Sequence, residues 1–228
     1  MNKLNVSIEH IFHSCFTVET ENFFLVFDYY KGDISLKDKK TIVFATHSHG
    51  DHFNPSILEW KNSLNDIRYV LSSDIDVKDE NKRIYSMAPY EKLQLEDINI
   101  KTFGSTDMGV SFLVCIDNLN IFHAGDLNWW YWEEDTDEEK RDMEKAFKEE
   151  VSKIKDFHID IAFFPVDPRL ESAFSLGGEY FINKVSPKYF IPMHFGDKFN
   201  ATKDFIRIME GNLCKIIELS KKNQIMSL

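Results

Sequence analysis

Cysteine is scarce in this chain: the 228 residues include only Cys15, Cys115 and Cys214, and no two of them form a CxxC pair. Three widely spaced cysteines are typical of reduced, mostly buried thiols and disfavour a zinc–thiolate site. Apolar runs of about eighteen residues are also missing, so no membrane-spanning helix is expected. The N-terminal stretch has Glu9 and His10 where an export signal would be apolar. These absences predict a cytoplasmic protein.

Basic residues are outnumbered: 27 Lys and Arg stand against 38 Asp and Glu, which gives a formal charge of −11. A nucleic-acid binder needs cationic surface to displace counterions, and a protein held on anionic lipid needs a basic patch. We therefore expect neither nucleic acid nor membrane as a partner, but a small-molecule substrate, with the oligomeric state left open. Hydrophobic residues make up 43% of the chain, an ordinary globular share. With no linker or low-complexity stretch, one domain over residues 1–228 is predicted.

Strand-like and helical segments alternate along the chain, which predicts an α/β fold. The apolar runs 41–45 and 159–164 are typical of strands buried on both faces. Thr136 and Glu139 form a capping box that opens a long amphipathic helix, so the acidic run around it is a solvated face. Shorter helices are predicted over 55–60, 177–185 and 202–210. Further strands are predicted over 6–12, 16–20, 23–27, 69–72, 83–87, 98–103, 110–116, 119–122 and 189–192.

The segment that follows strand 41–45 is rich in potential metal ligands: His47, His49, Asp51 and His52 occur within six positions. His47 and His49 are two residues apart and point to the same side of an extended backbone. Gly50 lets the chain turn, so that Asp51 and His52 approach from another direction. Imidazole and carboxylate together suit Zn²⁺, Mn²⁺ or Fe²⁺. The motif therefore predicts a divalent-metal site.

Two later segments have the same setting at the end of a strand. Asp126 follows the strand 119–122 through Gly125, and His194 follows the strand 189–192. Sheets of α/β proteins place ligand sites at the carboxyl ends of buried strands. Asp126 and His194 are therefore the next candidate metal ligands.

In their order and spacing these motifs resemble those of the metallo-β-lactamase-fold superfamily, and the resemblance spans most of the chain. Residues 123–126 and 192–196 are similar to the HxGD and PxH[FY]G segments of the branch that contains ascorbate-phosphate lactonases and N-acylphosphatidylethanolamine phospholipases. The resemblance implies a four-layer αβ/βα sandwich with metals at one edge. It also implies a first metal on His47 and His49, a second on Asp51, His52 and His194, and Asp126 as the bridge.

One departure from the family pattern concerns the first metal. Members of the family usually supply a third histidine from the loop before the Gly-Asp acid, but the loop 104–109 contains none. Either Asp107 replaces this histidine as an oxygen ligand, or the first site is one ligand short. One or two divalent ions are thus expected, with Zn²⁺ first and Mn²⁺ or Fe²⁺ as alternatives.

A metal site of this kind predicts hydrolysis. A metal ion lowers the pKa of bound water from about 16 towards 7, which supplies hydroxide at neutral pH. We therefore predict a metal-dependent hydrolase that uses metal-bound hydroxide on a small ester, lactone or phosphoester. Asp51 would hold both metal and nucleophile. His123 would either donate a proton to the leaving group or support a metal ligand by a hydrogen bond.

Three other functions stay open at this point. A nuclease of the same superfamily is disfavoured by the acidic charge and by the lack of room for an RNA-clamping domain. An oxygen-reducing di-iron protein would resemble this motif but with a glutamate where His49 stands, and it would usually carry a flavin domain. A non-catalytic metal-binding protein remains compatible with the missing histidine.

Several further residues are candidates by position alone. Trp129 and Trp130, in the aromatic run 129–132, would wall a substrate pocket or fill the core, and Arg169 would bind an anionic substrate group or form a surface ion pair. Asp28, at the end of an early strand, resembles an acid that lies near the metals in the family branch named above, and this resemblance implies that it supports a metal ligand. The histidines His10, His13 and His158 lie in no ligand pattern and are predicted to be structural or exposed.

Overall fold

The chain folds into two seven-stranded mixed sheets in the computed structural model, which describes residues 4–77 and 83–228. The strands of the first half are β1 (Ser7–Phe12), β2 (Cys15–Glu19), β3 (Phe23–Phe27), β4 (Lys40–Ala45), β5 (Ile67–Ser72) and β6 (Ile84–Met87). The remaining strands are β7 (Lys92–Leu95), β8 (Ile98–Phe103), β9 (Ser111–Ile116), β10 (Leu119–His123), β11 (Ile161–Pro165), β12 (Tyr189–Met193), β13 (Lys215–Ile216) and β14 (Gln224–Ser227). The sheet orders are β14-β1-β2-β3-β4-β5-β6 and β13-β12-β11-β10-β9-β8-β7.

The main core lies between the two sheets and is built largely from phenylalanine. The rings of Phe16 and Phe163, one from each sheet, have centroids 4.4 Å apart. Phe44 of the first sheet contacts Phe112 of the second edge-on at 5.3 Å. Full burial of one such side chain stabilises the fold by about 2–3 kcal/mol. The predicted α/β sandwich is therefore confirmed.

Helices cover the outer face of the second sheet: α1 (Asp137–Ile154), α2 (Leu176–Val185) and α3 (Asn200–Ile208). Phe181 of α2 stacks on Phe164 of β11 at 4.5 Å, and Phe205 of α3 stacks on Phe190 of β12 at 5.2 Å. The first sheet is covered by the 3₁₀ helix Pro55–Asn62, whose Ile57 is buried against it. Each sheet thus has a helical layer outside it. None of the helices in the described ranges has the length and apolar character that a membrane crossing demands.

The capping box predicted for α1 is present. The Glu139 amide donates to Thr136 Oγ1 at 3.3 Å, and the Thr136 amide donates to Glu139 Oε2 at 2.8 Å. These two bonds satisfy amides that have no partner inside the helix. The aromatic and aliphatic stripe of the same helix is buried at Phe147, Val151 and Ile154, so the prediction of a solvated acidic face is confirmed.

Three short strands at the sheet edges, β7, β13 and β14, were not predicted from sequence. The burial of β7 and β14 is incomplete because each has one edge or face in contact with solvent. β14 pairs antiparallel with β1 although the two lie at opposite ends of the chain. Such pairing depends on the tertiary fold, and local patterning does not encode it.

Parallel strands direct the loops that contain the candidate metal ligands to one edge of the sandwich. β3 and β4 are parallel neighbours in the first sheet, and β10, β11 and β12 are parallel neighbours in the second. The carboxyl ends of parallel neighbours lie side by side. The segments that leave these five strands therefore meet, and they contain the candidate metal ligands.

His10 provides a stability prediction that is independent of any metal. Its ring is fully buried against Phe16 and Phe195, and burial lowers its pKa to about 4. Between pH 6.5 and about 4 the unfolded chain binds more protons than the folded one, so the free energy of unfolding falls as the pH falls. We expect His10→Phe to remove about 2 kcal/mol of the stability loss between pH 7 and pH 5. Urea denaturation of the metal-free protein at both pH values measures this, with the exposed-residue variant His158→Gln as control. An equal fall in the free energy of unfolding between pH 7 and pH 5 in His10→Phe and the wild type would contradict the prediction.

Candidate metal centre

Six of the seven predicted ligands come together at the shared edge of the two sheets. Their donor atoms form two groups, and within each group these atoms lie within 4.8 Å of one another. One group contains His47, His49 and Asp126, and the other contains Asp51, His52 and His194 together with His13. The described residues thus contain two adjacent clusters, each able to hold a metal ion.

Asp126 connects the two groups. Its Oδ1 lies 3.1 Å from His52 Nε2 and 3.2 Å from His194 Nε2, while its Oδ2 lies 3.4 Å from His47 Nε2. The carboxylate is nearly fully buried. A glycine with positive φ, Gly125 at 56°, brings it there directly after β10. One carboxylate therefore faces histidine nitrogens of both groups.

Carboxylates behind the histidines hold the rings in place. Asp28 Oδ2 accepts from His52 Nδ1 at 2.7 Å, and Asp167 Oδ2 accepts from His194 Nδ1 at 2.9 Å. Asp28 also accepts from the hydroxyl and the amide of Thr46, at 2.7 and 2.8 Å. Such contacts fix the orientation of a metal-ligating histidine and raise its basicity. Asp28 therefore contacts a histidine that is itself a predicted ligand, as its expected supporting role requires.

The electrostatics of the cluster favour a bound cation. Burial lowers the pKa of His52, but the nearby Asp126 and Asp28 outweigh that effect and raise it to about 10. Burial raises the pKa of Asp126, yet the neighbouring His52 and His194 outweigh it, so this pKa lies well below its usual range. The carboxylates therefore stay ionised and create a strongly negative potential that stabilises positive charge.

Several of the donor atoms lack a hydrogen-bond partner, which makes them suitable metal ligands. His47 Nε2, His52 Nε2, His194 Nε2 and Asp126 Oδ1 are buried and have no hydrogen-bond partner among the described residues. Leaving a buried polar atom unpaired costs about 1–3 kcal/mol. A cation bound in each group would satisfy these atoms. Nitrogen and oxygen donors of this kind suit Zn²⁺, Mn²⁺ or Fe²⁺, so the residues present fit a divalent metal.

Asp107 is not brought into either group. It is exposed on the wall of the adjacent cavity, and its amide donates to the hydroxyl of Ser105 at 3.2 Å. The structure therefore does not bring it to His47 and His49 as a replacement for the missing histidine. This placement favours the alternative in which the first group is one protein ligand short.

His123 lies behind the site with both ring nitrogens engaged. Its Nε2 donates to the Ser14 carbonyl at 3.0 Å, and its Nδ1 accepts from the Gly125 amide at 3.2 Å. The ring is fully buried and stacks on Phe27 at 5.2 Å. These contacts leave no nitrogen for a leaving group and include no hydrogen bond to a predicted ligand. His123 instead binds the amide of the turn that delivers Asp126.

A cavity of about 300 Å³ opens over the metal centre. Its lining consists of His49, Asp51, Thr106, Asp107, Asp126, Trp130, Trp132, Met143, Arg169 and His194. Trp130 and Trp132 stack parallel at 6.1 Å and form one wall. Trp129 points away and packs on Phe147 of α1 at 5.9 Å. Of the two alternatives left open by sequence, Trp130 thus takes the pocket wall and Trp129 the core.

Arg169 combines the two roles left open by sequence. Its Nε donates to Asp167 Oδ1 and Oδ2 at 3.0 and 2.8 Å, and its Nη2 also contacts Asp167. The guanidinium lies 5.7 Å from the Trp132 ring centroid and lines the cavity. Its Nη1 donates no hydrogen bond to any residue of the described ranges, so an ion-paired arginine still presents a donor to the cavity.

His13 was missed by sequence reasoning. It follows β1, adopts a left-handed φ of 57°, and places its Nε2 3.5 Å from Asp51 Oδ2. Its ring centroid lies 4.0 Å from that of His194. The one available signal was its position immediately after a strand, which the other site residues share. The expectation that His10 and His158 are structural or exposed agrees with the structure, in which His10 is buried and His158 is exposed.

Comparison with known proteins places this geometry in a family. Residues 7–194 match the family model described as the beta-lactamase superfamily domain. The chain therefore belongs to the β-lactamase superfamily, and its two flanked sheets have the metallo-β-lactamase fold. No curated protein matches the chain by sequence.

Solved structures agree with this fold at low sequence identity. Igni18, described as a novel metallo hydrolase from Ignicoccus hospitalis KIN4/I, is 14% identical, with a TM-score of 0.68 and 98% of each chain covered. YhfI, a metallo-β-lactamase fold protein from Bacillus subtilis, is 10% identical, with a TM-score of 0.62 and coverage of 97% of this chain and 98% of its own. CmlA, a diiron β-hydroxylase from Streptomyces venezuelae, is 9% identical at a TM-score of 0.68, and the match covers 100% of this chain and 55% of CmlA. These similarities show the fold alone.

Proposed function

We propose that the protein is a metal-dependent hydrolase that acts on a small anionic ester, lactone or phosphoester. The observation that carries this proposal is the convergence of unpartnered imidazole nitrogens on a buried carboxylate, Asp126, which lines an open cavity together with His194. A divalent metal bound there supplies activated water and polarises the substrate oxygen under attack. The residues for it are His47, His49, Asp51, His52, Asp126 and His194.

The chain's own residues would then orient the reactants. Asp28 and Asp167 fix the rings of His52 and His194, so the donor atoms do not reorganise during a reaction. The contact with His13 lowers the pKa of Asp51 below its usual range, so this half-exposed carboxylate stays ionised. Asp51 can therefore accept a hydrogen bond from a water molecule at the cavity floor while it binds a cation.

Arg169 and the tryptophan wall support the choice of an anionic substrate. Asp51, Asp107 and Asp126 give the cavity negative charge, which a bound metal offsets in part. Arg169 adds a cation at the rim, and the free side of its planar guanidinium suits a carboxylate or phosphate. Trp130 and Trp132 exclude water from one side and offer an apolar surface to the remainder of a small substrate.

The primary test is hydrolysis by protein of defined metal content. Metal-free protein and protein reconstituted with Zn²⁺, Mn²⁺ or Fe²⁺ would be assayed on lactones, nitrophenyl esters and nitrophenyl phosphodiesters. We expect turnover that depends on the metal and disappears on its removal. Activity that survives exhaustive chelation would contradict the proposal, and so would tight metal binding without turnover of any substrate class.

A variant of Arg169 tests the charge preference. We expect Arg169→Gln to raise KM for an anionic substrate by about 10–100-fold, because a hydrogen bond to a charged group contributes about 1.5–3 kcal/mol. KM for a neutral ester should change far less. Steady-state kinetics on a matched neutral and anionic pair measures this. Arg207→Gln, at an exposed ion pair with Asp204, is the control. Equal increases for both substrates would indicate that Arg169 only maintains the fold around Asp167.

A further inference from the structure

The hydrogen-bond partner at Nδ1 sorts the histidines of the site into two kinds. His52 and His194 each face a carboxylate at Nδ1, and His47 Nδ1 faces the Thr46 hydroxyl at 3.1 Å. That hydroxyl already donates its hydrogen to Asp28, so it accepts from His47. In the neutral form of all three rings the proton therefore sits on Nδ1, which leaves the Nε2 lone pair for a metal.

His13 has the opposite arrangement. Its Nδ1 lies 3.3 Å from the backbone nitrogen of Gly196, and an amide N–H can only donate. In the neutral ring the proton therefore sits on Nε2. That nitrogen is buried and has no hydrogen-bond partner among the described residues, and the nearest carboxylate oxygen is Asp51 Oδ2 at 3.5 Å. A protonated Nε2 cannot bind a metal, although its position lies within the second ligand group.

We propose that His13 is a positioning residue, which donates a hydrogen bond from Nε2 to Asp51 and so holds that carboxylate at the metal centre. This inference rests on the metal centre proposed above and goes beyond its ligand set. The backbone conformation and the carbonyl of His13 both support this arrangement. The left-handed φ of His13 turns its ring inward after β1, and its carbonyl accepts from the His194 amide at 3.2 Å. The turn after β1 is thereby tied to the end of β12.

Asp51 needs such support more than the four buried ligands do, and His49 is the other ligand that is exposed. The side chain of Asp51 is 44% exposed, whereas those of His47, His52, Asp126 and His194 are buried. A half-exposed carboxylate samples several rotamers, and a rotamer other than the one that faces His52 and His194 removes it from the ligand group. The donor at His13 selects the rotamer that faces His52 and His194. Loss of a hydrogen-bonding partner behind a ligand typically weakens metal affinity by about 10–100-fold.

Nitrogen NMR of the histidine side chains tests the proton position directly. The full chain would be labelled with ¹⁵N and measured metal-free and loaded with Zn²⁺, and the His13 signals would be assigned by their loss in His13→Gln. We expect His13 to be protonated at Nε2 in both samples, with His47, His52 and His194 protonated at Nδ1 in the Zn²⁺ form. A His13 ring protonated at Nδ1 in the Zn²⁺ form would make it a ligand and overturn the proposal.

Cobalt binding provides a second readout that does not depend on activity. We expect His13→Ala to bind the same number of Co²⁺ ions as the wild type but about 10–100-fold more weakly. His13→Gln keeps an N–H donor near the Nε2 position and should restore most of the affinity with an unchanged visible absorption of bound Co²⁺. His158→Gln should behave as the wild type. A changed absorption in His13→Gln, or unchanged affinity in His13→Ala, would overturn the proposal. Failure to hydrolyse any substrate would affect only the proposed function, since neither readout uses turnover.

Discussion

Asp126→Asn is expected to lower the affinity for divalent metal by more than about 100-fold, since even partners behind a ligand contribute about 10–100-fold. The substitution keeps the volume of the side chain but removes the charge that faces three histidines. One amide oxygen cannot replace two carboxylate oxygens, which point at His52 and His194 on one side and at His47 on the other. Hydrolytic activity should fall with the metal content.

Elemental mass spectrometry after desalting and calorimetric titration with Zn²⁺ would measure this loss. Asp160→Asn is a matched control, because Asp160 is also a buried carboxylate but precedes β11, at the end of the sandwich away from the metal centre. It accepts from the Asn120 amide at 3.0 Å. The control should keep full metal content even where its folding stability falls. Equal metal content in Asp126→Asn and the wild type would show that the ligand assignment is wrong.

Gly109→Ala is expected to disrupt the metal loop through the backbone. Gly109 has a φ of 76°, and a Cβ atom there would lie 2.0 Å from the Thr46 carbonyl oxygen and 2.5 Å from His47 Cβ. Relief of this clash must displace the backbone that positions His47. We expect the free energy of unfolding to fall by at least about 3 kcal/mol, in the range of severe single substitutions. Metal affinity should fall as well.

Gly211→Ala separates this clash from simple backbone strain. Gly211 also has a positive φ, 88°, but no atom lies within 4 Å of the added Cβ. Left-handed backbone costs an alanine about 1–2 kcal/mol, so this variant should lose only that amount and bind metal normally. Urea denaturation and metal content would be measured for both. Similar losses in the two variants would indicate that contact with the Thr46–His47 segment is not what requires glycine at position 109.

The metal centre could be predicted from sequence to the extent that it is local. His47 to His52 lie on one short loop, and Asp126 and His194 each follow an apolar strand, so strand ends and spacing were sufficient to find them. His13 could not be found in this way. It is brought to the cluster by a left-handed turn and by pairing with the loop after β12, and no local pattern encodes either feature.

In the fold, too, elements with a local sequence pattern could be predicted and elements that depend on tertiary contacts could not. Capping residues and an apolar stripe defined α1, and continuous apolar runs defined the central strands. The edge strands β7, β13 and β14 are short, and their partners are set by the tertiary fold. The tryptophan run shows how far sequence predicts a loop. Composition indicated a pocket wall, but only the backbone geometry distinguishes Trp129, which packs against α1, from Trp130 and Trp132, which line the cavity.

Anomalous diffraction from crystals soaked in Zn²⁺ or Mn²⁺ tests the central claim most directly. The account predicts a strong peak beside Asp126, in contact with Nε2 of His52 and His194, and a second peak of equal or lower occupancy beside His47 and His49. His13 should lie outside the ligand distance of both peaks, with its Nε2 directed at Asp51. No peak at Asp126 in protein with an intact cluster would contradict the account.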